Sequence, residues 1–189
     1  MLLNNIEDLC PLMVIPSLTT PRLILRPFKF KDALPLHRIL VEPGVLRYFP
    51  NPSPPTVKKV RNLITQQIDH WTTRGYGWWV VEQPEHNELM GWCGLQYLPE
   101  TGETEIGYLL GKAHWGKGYA TEAASATLRF GFENLAIEKI IAVVHPENTA
   151  STRVVEKLGF RDPIRTSYFG MDCLRYLAER NTITVGKQN

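Results

Sequence analysis

The most informative segment of this chain is residues 109–123, with the sequence LLGKAHWGKGYATEA. A strand-like run ends in Leu109 and Leu110, a turn containing Gly116 and Gly118 follows, and small residues then begin a helical pattern. The first N–H groups of a helix have no partner within the helix, and the helix dipole adds positive charge at that end. Since glycine has no Cβ to block a ligand, the segment predicts a turn that binds a phosphate group.

The turn also matches parts of two nucleotide-binding motifs. Gly111, Gly116 and Lys117 match the start of the P-loop pattern G-x-x-x-x-G-K-[ST], but Gly118 occupies the position whose hydroxyl binds magnesium. A dinucleotide site needs G-x-G-x-x-G, and Thr121 stands at the third glycine position. Both nucleotide motifs are therefore disfavoured. A strand-to-helix turn whose glycines serve geometry alone stays open.

Apolar periodicity around the turn predicts a mixed α/β fold with helices on both faces of the sheet. The predicted element order is β-α-α-β-β-β-α-β-α-β-β, with a strand at 22–26, helices at 30–40 and 57–71, strands at 77–82, 89–98 and 104–110, a helix at 120–135, a strand at 140–144, a helix capped by Asn148, and one or two strands within 164–178. Residues 140–144 are all apolar, so this strand is expected at the centre of the sheet.

Length and composition indicate a single domain. The chain has 189 residues, 43% of them hydrophobic, and 21 Lys and Arg against 19 Asp and Glu give a net charge of +2. One hydrophobic core suits this length. We expect an N-terminal arm at 1–19, one domain at 20–180 and a C-terminal tail at 181–189. The two charge signs are interspersed, so general nucleic-acid binding is not expected.

The cysteines and the first residues predict a cytoplasmic protein. The sequence has an odd number of cysteines, and no two of them form a Cys-x-x-Cys pair: they are Cys10, Cys93 and Cys173. We therefore expect reduced thiols. Glu7 and Asp8 lie where an export signal would carry positive charge. No run approaches the roughly 20 apolar residues needed to span a membrane. A monomer and a homodimer are both compatible with the sequence.

Several short motifs follow one another along the chain. They are TPRLILR at 20–26, EIGY at 105–108, WGKGYATEA at 115–123, Asn148-x-x-Ser151 and KLGF at 157–160. Together they resemble the GNAT superfamily of acetyl-CoA-dependent N-acetyltransferases, over about residues 20–178. The first and third motifs are similar, more narrowly, to the ribosomal-protein alanine N-acetyltransferase subgroup of RimJ/RimL type. Trp115 departs from the Arg or Gln that the superfamily usually has, but this subgroup commonly has Trp there.

The resemblance implies a GNAT-like fold whose central strands splay apart and hold acetyl-CoA between them. Backbone N–H groups of residues 115–120 would bind the diphosphate of coenzyme A, and backbone groups of Leu109 and Leu110 would bind its pantetheine arm. The residues implied for the cofactor site are Leu109, Leu110, Trp115, Gly116, Lys117, Gly118, Tyr119, Ala120 and Asn148. Lys117 is included for its amide; its side chain is either a charge beside the phosphates or an ordinary solvated lysine. Asn148 is a helix cap, a cofactor contact, or both.

Acetyl transfer requires a neutral amine, and an amine with a pKa of about 8 to 10 is mostly protonated at pH 7. The resemblance implies that Glu105 accepts the amine proton through water; the alternative is a solvent-facing strand residue. Glu103 lies two residues earlier on the same strand face and is the second candidate for the base. The resemblance also implies that the Ser151 hydroxyl binds the coenzyme A sulfur and stabilises the departing thiolate.

Other conspicuous side chains are interpreted as structural. Trp71, Trp78, Trp79 and Trp92 are expected to pack in the core in preference to forming an aromatic substrate pocket, and Cys93 is expected to be a packed strand residue. No metal site is expected, because the histidines lack the spacing of metal ligands.

The predicted activity is the transfer of an acetyl group from acetyl-CoA directly to a primary amine in a ternary complex. The amine acceptor is a protein N-terminal α-amine or a small-molecule amine, and its choice is expected to depend on the loops at 43–55 and 165–170. The alternative is a non-catalytic module that senses acyl-CoA or docks a partner.

Overall fold

The computed structural model of the protein describes residues 14–181. The strands are β1 Leu18–Thr19, β2 Ile24–Arg26, β3 Trp78–Gln83, β4 Glu88–Leu98, β5 Glu103–Leu110, β6 Lys139–Val144, β7 Arg161–Tyr168 and β8 Met171–Glu179. The helices are α1 Ala33–Leu40, α2 Val57–Arg74, α3 Tyr119–Arg129 and α4 Thr149–Lys157. The expected arm and tail lie mostly outside the described residues, as does Cys10, so these boundaries stay predictions.

The strands form one sheet in the order β1-β2-β3-β4-β5-β6-β8-β7. Neighbouring strands are antiparallel except β5 and β6, which are parallel. The predicted mixed sheet is confirmed, and the apolar strand β6 lies inside it, between β5 and β8. Strand β1 was not predicted: it pairs with β2 through Leu18 and Leu25, so the described end of the expected arm extends the sheet. Two residues are too few to produce an alternating pattern.

The predicted capping residues mark the helix boundaries. Thr56 Oγ1 accepts a hydrogen bond from the Lys59 amide at 3.3 Å at the start of α2. Asn148 Oδ1 accepts one from the Ser151 amide at 3.1 Å at the start of α4. After α4, Gly159 has a φ of 92°, the left-handed conformation that ends many helices.

The third helix is shorter than its apolar pattern. Helix α3 ends at Arg129, and Phe130–Asn134 continue it as a π-helical turn. Phe130 and Phe132 in this turn are both buried, so the segment still packs on the core.

Each face of the sheet carries a layer of helices. On one face, Leu36 of α1 and Ile64 of α2 are buried in one cluster with Leu109 of β5. On the other face, Ala124 of α3 is buried in one cluster with Leu110. Because successive strand residues point to opposite faces, the two leucines at the end of β5 belong to different layers.

The four tryptophans of the central region are buried, as predicted. Trp78 and Trp92 stack in parallel with ring centroids 3.8 Å apart, and Trp71 meets Trp79 edge to face at 4.7 Å. Cys93 is also buried, and burial raises the pKa of its thiol to about 12. This thiol therefore stays protonated at neutral pH and is a packing residue.

The sheet opens between β5 and β6. Within the described chain, Glu105 and Ile141 are the only registered pair between these strands, whereas every residue of β5 is paired with β4. Beyond that pair the strands diverge toward Leu110 and Val144, which confirms the expected splay. Across residues 14–181, no helix is both long and apolar enough to cross a membrane.

Candidate active site

The cleft between the diverging strands is the centre of the candidate site. Its β5 wall ends in Leu109 and Leu110, and the turn that leads to α3 follows directly. Past the Glu105–Ile141 pair, the β5 backbone groups that point toward β6 have no registered partner there in the described chain. An extended ligand that lies between the strands could bond to these groups as an added strand would.

The turn before α3 presents a row of free amides. Gly116 and Gly118 have φ values of 72° and 81°, a conformation that side chains rarely adopt, and Gly118 is the N-cap of α3. In the described residues, the N–H groups of 116–120 donate to no protein acceptor. The space beside Gly116 where a Cβ would stand is open to 4 Å. The turn therefore has the geometry of an anion-binding helix start.

Trp115 differs from its expected role. Its amide donates to the Lys112 carbonyl at 3.1 Å, so the amides available to a phosphate begin at Gly116. Its indole Nε1 donates to the Leu110 carbonyl at 2.7 Å, while 49% of the residue is exposed. Any contact of Trp115 with a cofactor would therefore involve its ring rather than its backbone.

An ion pair ties the turn to the start of the sheet. Glu122 Oε1 accepts hydrogen bonds from Thr20 Oγ1 at 2.7 Å and from the Arg22 amide at 2.9 Å, and its Oε2 accepts one from Arg22 Nε at 2.6 Å. Sequence reasoning did not identify this contact. Its only signal was the presence of both TPR at 20–22 and ATE at 120–122 among the recognised motifs.

Glu105 lies where β5 and β6 part. Its side chain is buried, its Oε2 accepts a hydrogen bond from Gln96 Nε2 at 2.5 Å, and it also accepts one from the Val143 amide of β6. Burial raises the pKa of Glu105 to about 7, although these two hydrogen bonds favour the charged form; the negative charge of Glu103 adds to the rise. A carboxyl group with this pKa can accept a proton near neutral pH.

Glu103, the second candidate base, is held in an ion pair. Arg175 Nε donates to Glu103 Oε1 at 2.8 Å, and Tyr168 Oη donates to Glu103 Oε2 at 2.5 Å. Partial burial acts to raise the pKa of Glu103, but the hydrogen bonds from Tyr168 and Arg175 outweigh it and lower the pKa below its ordinary value. Glu103 is therefore a fixed anion, and Glu105 is the carboxyl group better suited to exchange protons.

Ser151 lies in the first turn of α4 and contacts β5. Its Oγ is 2.7 Å from the hydroxyl of Tyr108, which also donates to the Ser151 carbonyl at 3.3 Å. Burial raises the pKa of Tyr108, so the phenol stays neutral and can donate a hydrogen bond to the serine. Sequence reasoning missed Tyr108, although it ends the quoted EIGY motif. Asn148 uses its side-chain oxygen as the cap of α4.

The loop between α1 and α2 reaches across to the end of β6. The ring of Tyr48 lies 5.1 Å from that of His145, and Phe49 packs edge-on against Trp92 at 6.3 Å. Arg47 Nη2 lies 3.8 Å from Glu147 Oε2. This loop, expected to affect acceptor choice, therefore forms a wall over the face of the sheet that carries Trp92.

Together, a splayed parallel strand pair, a row of free amides and a buried carboxyl group at the fork define an acyl-CoA-dependent acyltransferase. A family model for the acetyltransferase (GNAT) domain matches residues 22–161, so the chain belongs to the GNAT acetyltransferase family. Members of this family use acetyl-CoA, and the chain is an acetyltransferase, as the motifs indicated.

Two of its relatives are similar over most of their length. The chain is 37% identical over 148 residues to the uncharacterized N-acetyltransferase p20 of Bacillus licheniformis, covering 77% of this chain and 82% of that one. A solved GNAT-family acetyltransferase from Bacillus anthracis is 30% identical to this chain, with a TM-score of 0.74. The match covers 88% of this chain and 99% of that chain.

The solved structures of similar fold include ribosomal-protein acetyltransferases. One is RimL, the ribosomal L7/L12 alpha-N-protein acetyltransferase in complex with coenzyme A, at 18% identity and a TM-score of 0.72, with 87% of this chain and 97% of that chain covered. At this identity the likeness shows the fold alone.

Proposed function

We propose that the protein transfers the acetyl group of acetyl-CoA directly to a primary amine while both substrates are bound. The observation that carries this proposal is the buried Glu105 carboxyl group, with a pKa of about 7, at the fork of β5 and β6. A base of this strength, beside the Glu105–Ile141 pair that joins the two strands, has a direct use in removing a proton from an amine that enters the cleft.

Glu105 serves as the base in this proposal. At pH 7 the Glu105 carboxyl group is ionised in about half of the protein molecules, since its pKa is about 7. A carboxyl group at the ordinary pKa of about 4.3 would be a far weaker base, because proton-transfer efficiency rises as the pKa of the base approaches the working pH. The neutral amine attacks the thioester carbonyl, and the proton that its nitrogen loses as the C–N bond forms passes through a water molecule to Glu105.

Ser151 stabilises the leaving group. Its hydroxyl donates a hydrogen bond to the thiolate of coenzyme A as the C–S bond breaks. The Tyr108 hydroxyl, 2.7 Å from the serine oxygen, then turns its single proton from the Ser151 carbonyl to that oxygen and fixes its orientation. Such donors contribute most when charge develops on the atom they face. A serine hydroxyl is a weaker acid than a thiol, so its role is stabilisation, and the thiolate takes its proton from solvent.

The remaining cofactor contacts are assigned to the turn before α3 and to the end of β5, where the Leu110 carbonyl already accepts the Trp115 indole N–H. When bound, acetyl-CoA supplies the activated acetyl group. Amides of residues 116–120 hold its diphosphate, the backbone of Leu109 and Leu110 holds the pantetheine arm, and Asn148 and the Trp115 ring border it.

The charges on the acceptor side favour an amine with a single positive charge. Glu103 is paired with Arg175 and Asp172 with Arg165, so these carboxylates are neutralised within the protein. A polyamine site would instead need unpaired carboxylates along its length. A relative at 26% identity is the spermidine N(1)-acetyltransferase of Escherichia coli, so spermidine is the polyamine included in the test. Protein N-terminal α-amines and small monoamines are the acceptors proposed.

The test is an acceptor screen with purified protein. Thiol release from acetyl-CoA is followed with a panel of peptides and monoamines, with spermidine for comparison, and products are identified by mass spectrometry. Initial-rate plots with both substrates varied should intersect, as a ternary complex requires; parallel lines would indicate an acetyl-enzyme and contradict direct transfer. A thermal shift with coenzyme A but no turnover on any amine would instead support a non-catalytic module that senses acyl-CoA.

A further inference from the structure

Arg22 lies beside the turn before α3 and contacts it at two places. Its Nη1 donates to the Lys117 carbonyl at 3.1 Å, and its guanidinium carbon lies 4.5 Å from the ring centroid of Tyr119. Its Nη2 lies 3.5 Å from the position that a Cβ on Gly118 would occupy. The other edge of the guanidinium is held by Glu122.

The contact with Lys117 sets the direction of a neighbouring amide. The described residues contain no cis peptide bond, so the Lys117 carbonyl and the Gly118 N–H point in opposite directions from one planar peptide. When Arg22 holds the carbonyl on its own side, the Gly118 N–H faces away from Arg22 and is free to bind an anion.

This peptide is one that needs an external restraint. Rotation of the Lys117–Gly118 peptide changes ψ of Lys117 and φ of Gly118, and glycine populates both signs of φ with little energetic preference. This peptide can therefore rotate so that its carbonyl faces the ligand and repels a phosphate. Arg22 opposes this rotation, because the carbonyl would then lose a hydrogen bond to a charged donor.

The ion pair makes orientation, rather than added charge, the main contribution of Arg22. Partial burial acts to raise the pKa of Glu122, but hydrogen bonds from Thr20 and Arg22 lower it below its ordinary value, so the carboxyl group is ionised at neutral pH. Glu122 and Arg22 therefore carry nearly cancelling charges, and 48% of the Arg22 side chain remains exposed to screening solvent.

We propose that Arg22 is a positioning residue for acetyl-CoA: by holding the Lys117 carbonyl it aims the Gly118 amide at the diphosphate. This inference rests on the proposed function, since it assumes that the diphosphate lies on the turn before α3. In this proposal, a residue at the start of the sheet contributes to cofactor binding through its hydrogen bond to Lys117, which is 95 residues away in sequence.

The test compares two acetyl donors that differ in the diphosphate. Acetyl-pantetheine has the thioester and part of the arm of acetyl-CoA but no nucleotide. For Arg22→Gln we expect the KM for acetyl-CoA to rise about 10-fold or more, while kcat/KM with acetyl-pantetheine stays within about two-fold of the wild type. Arg22→Lys should behave similarly, because one ammonium group cannot satisfy both Glu122 and the Lys117 carbonyl in the fork geometry.

Two further measurements separate positioning from stability. ADP carries the diphosphate without the thioester, and its affinity by calorimetry should fall in Arg22→Gln by about the same factor as the KM rises. Arg180→Gln is the matched control, since Arg180 forms an exposed pair with Glu138 away from the turn. Thermal unfolding of every variant, including the milder Arg22→Lys, identifies any loss that reflects folding.

Each outcome bears on the inference. An equal fall in activity with both donors, or no change with either, would overturn it, as would unchanged ADP affinity. A wild-type protein that binds neither ADP nor acetyl-CoA would refute the proposed cofactor site itself, which is a different failure.

Discussion

Replacement of Glu105 by Gln tests the proposed base most directly. The two side chains have nearly the same shape, and the amide can still bond to Gln96, so the change removes the ability to accept a proton with little change in packing. We expect kcat to fall about 10² to 10⁴-fold, the usual contribution of a positioned general base.

The pH dependence gives a sharper expectation than the rate alone. In the wild type, two groups must lose a proton: the acceptor amine, with a pKa of about 8 to 10, and Glu105, with a pKa of about 7. At pH 6 only about one-tenth of Glu105 is ionised, so log kcat/KM should rise with a slope near 2 below pH 7 and near 1 above it. In Glu105→Gln the slope should be near 1 throughout.

Gln96→Leu provides the companion variant. Removing its hydrogen bond destabilises the ionised form of Glu105, so the break in the profile should move to higher pH by about one unit or more. The assay is steady-state thiol release from pH 5 to 9 with one peptide amine. A wild-type slope of 1 throughout, or a Glu105→Gln enzyme with wild-type kcat, would refute the assignment of the base.

The remaining predictions concern the leaving group, the turn and stability. Ser151→Ala should lower kcat about 10² to 10³-fold with little change in the KM for acetyl-CoA. Tyr108→Phe should lower kcat less, and the double variant should be no slower than Ser151→Ala, since Tyr108 acts through the serine; additive losses would contradict this. Gly116→Ala should destabilise the fold by about 1 to 2 kcal/mol in thermal unfolding because of its φ of 72°, and its added Cβ should raise the KM for acetyl-CoA. Glu105 has a raised pKa in the folded protein, so its stabilising contribution is complete below about pH 4.3 and is lost as the pH rises through about 7; denaturant unfolding should show a loss of up to about 3 kcal/mol over that window that is absent in Glu105→Gln.

Local signals predicted most of the fold. Thr56 and Asn148 cap helices with a side-chain oxygen, and Gly159 ends one, because these residue types favour such positions by their own chemistry. The unbroken apolar run at 140–144 placed β6 inside the sheet because a strand covered on both faces needs no polar alternation.

The contacts that sequence reasoning missed join residues far apart in the chain. Arg22 and Glu122 are 100 residues apart, and Tyr108 and Ser151 are 43 apart. A single sequence carries no pattern that pairs such residues, because their proximity depends on how the sheet is ordered. The amide of Trp115 is a smaller case: its bond to Lys112 depends on a short 3-10 turn that the apolar pattern does not mark.

Among residues 14–181, one registered pair joins β5 to β6, so the sheet consists of two blocks of strands connected at Glu105 and Ile141. A bound acetyl-CoA molecule would stabilise the folded sheet, because its pantetheine arm would bond to the strands on both sides of the cleft at once. The free energy of unfolding then rises with ligand concentration as RT ln(1 + [L]/Kd). We therefore expect the lifetime of this enzyme in a cell to follow the supply of its acetyl donor, with saturated molecules outlasting empty ones under proteolysis.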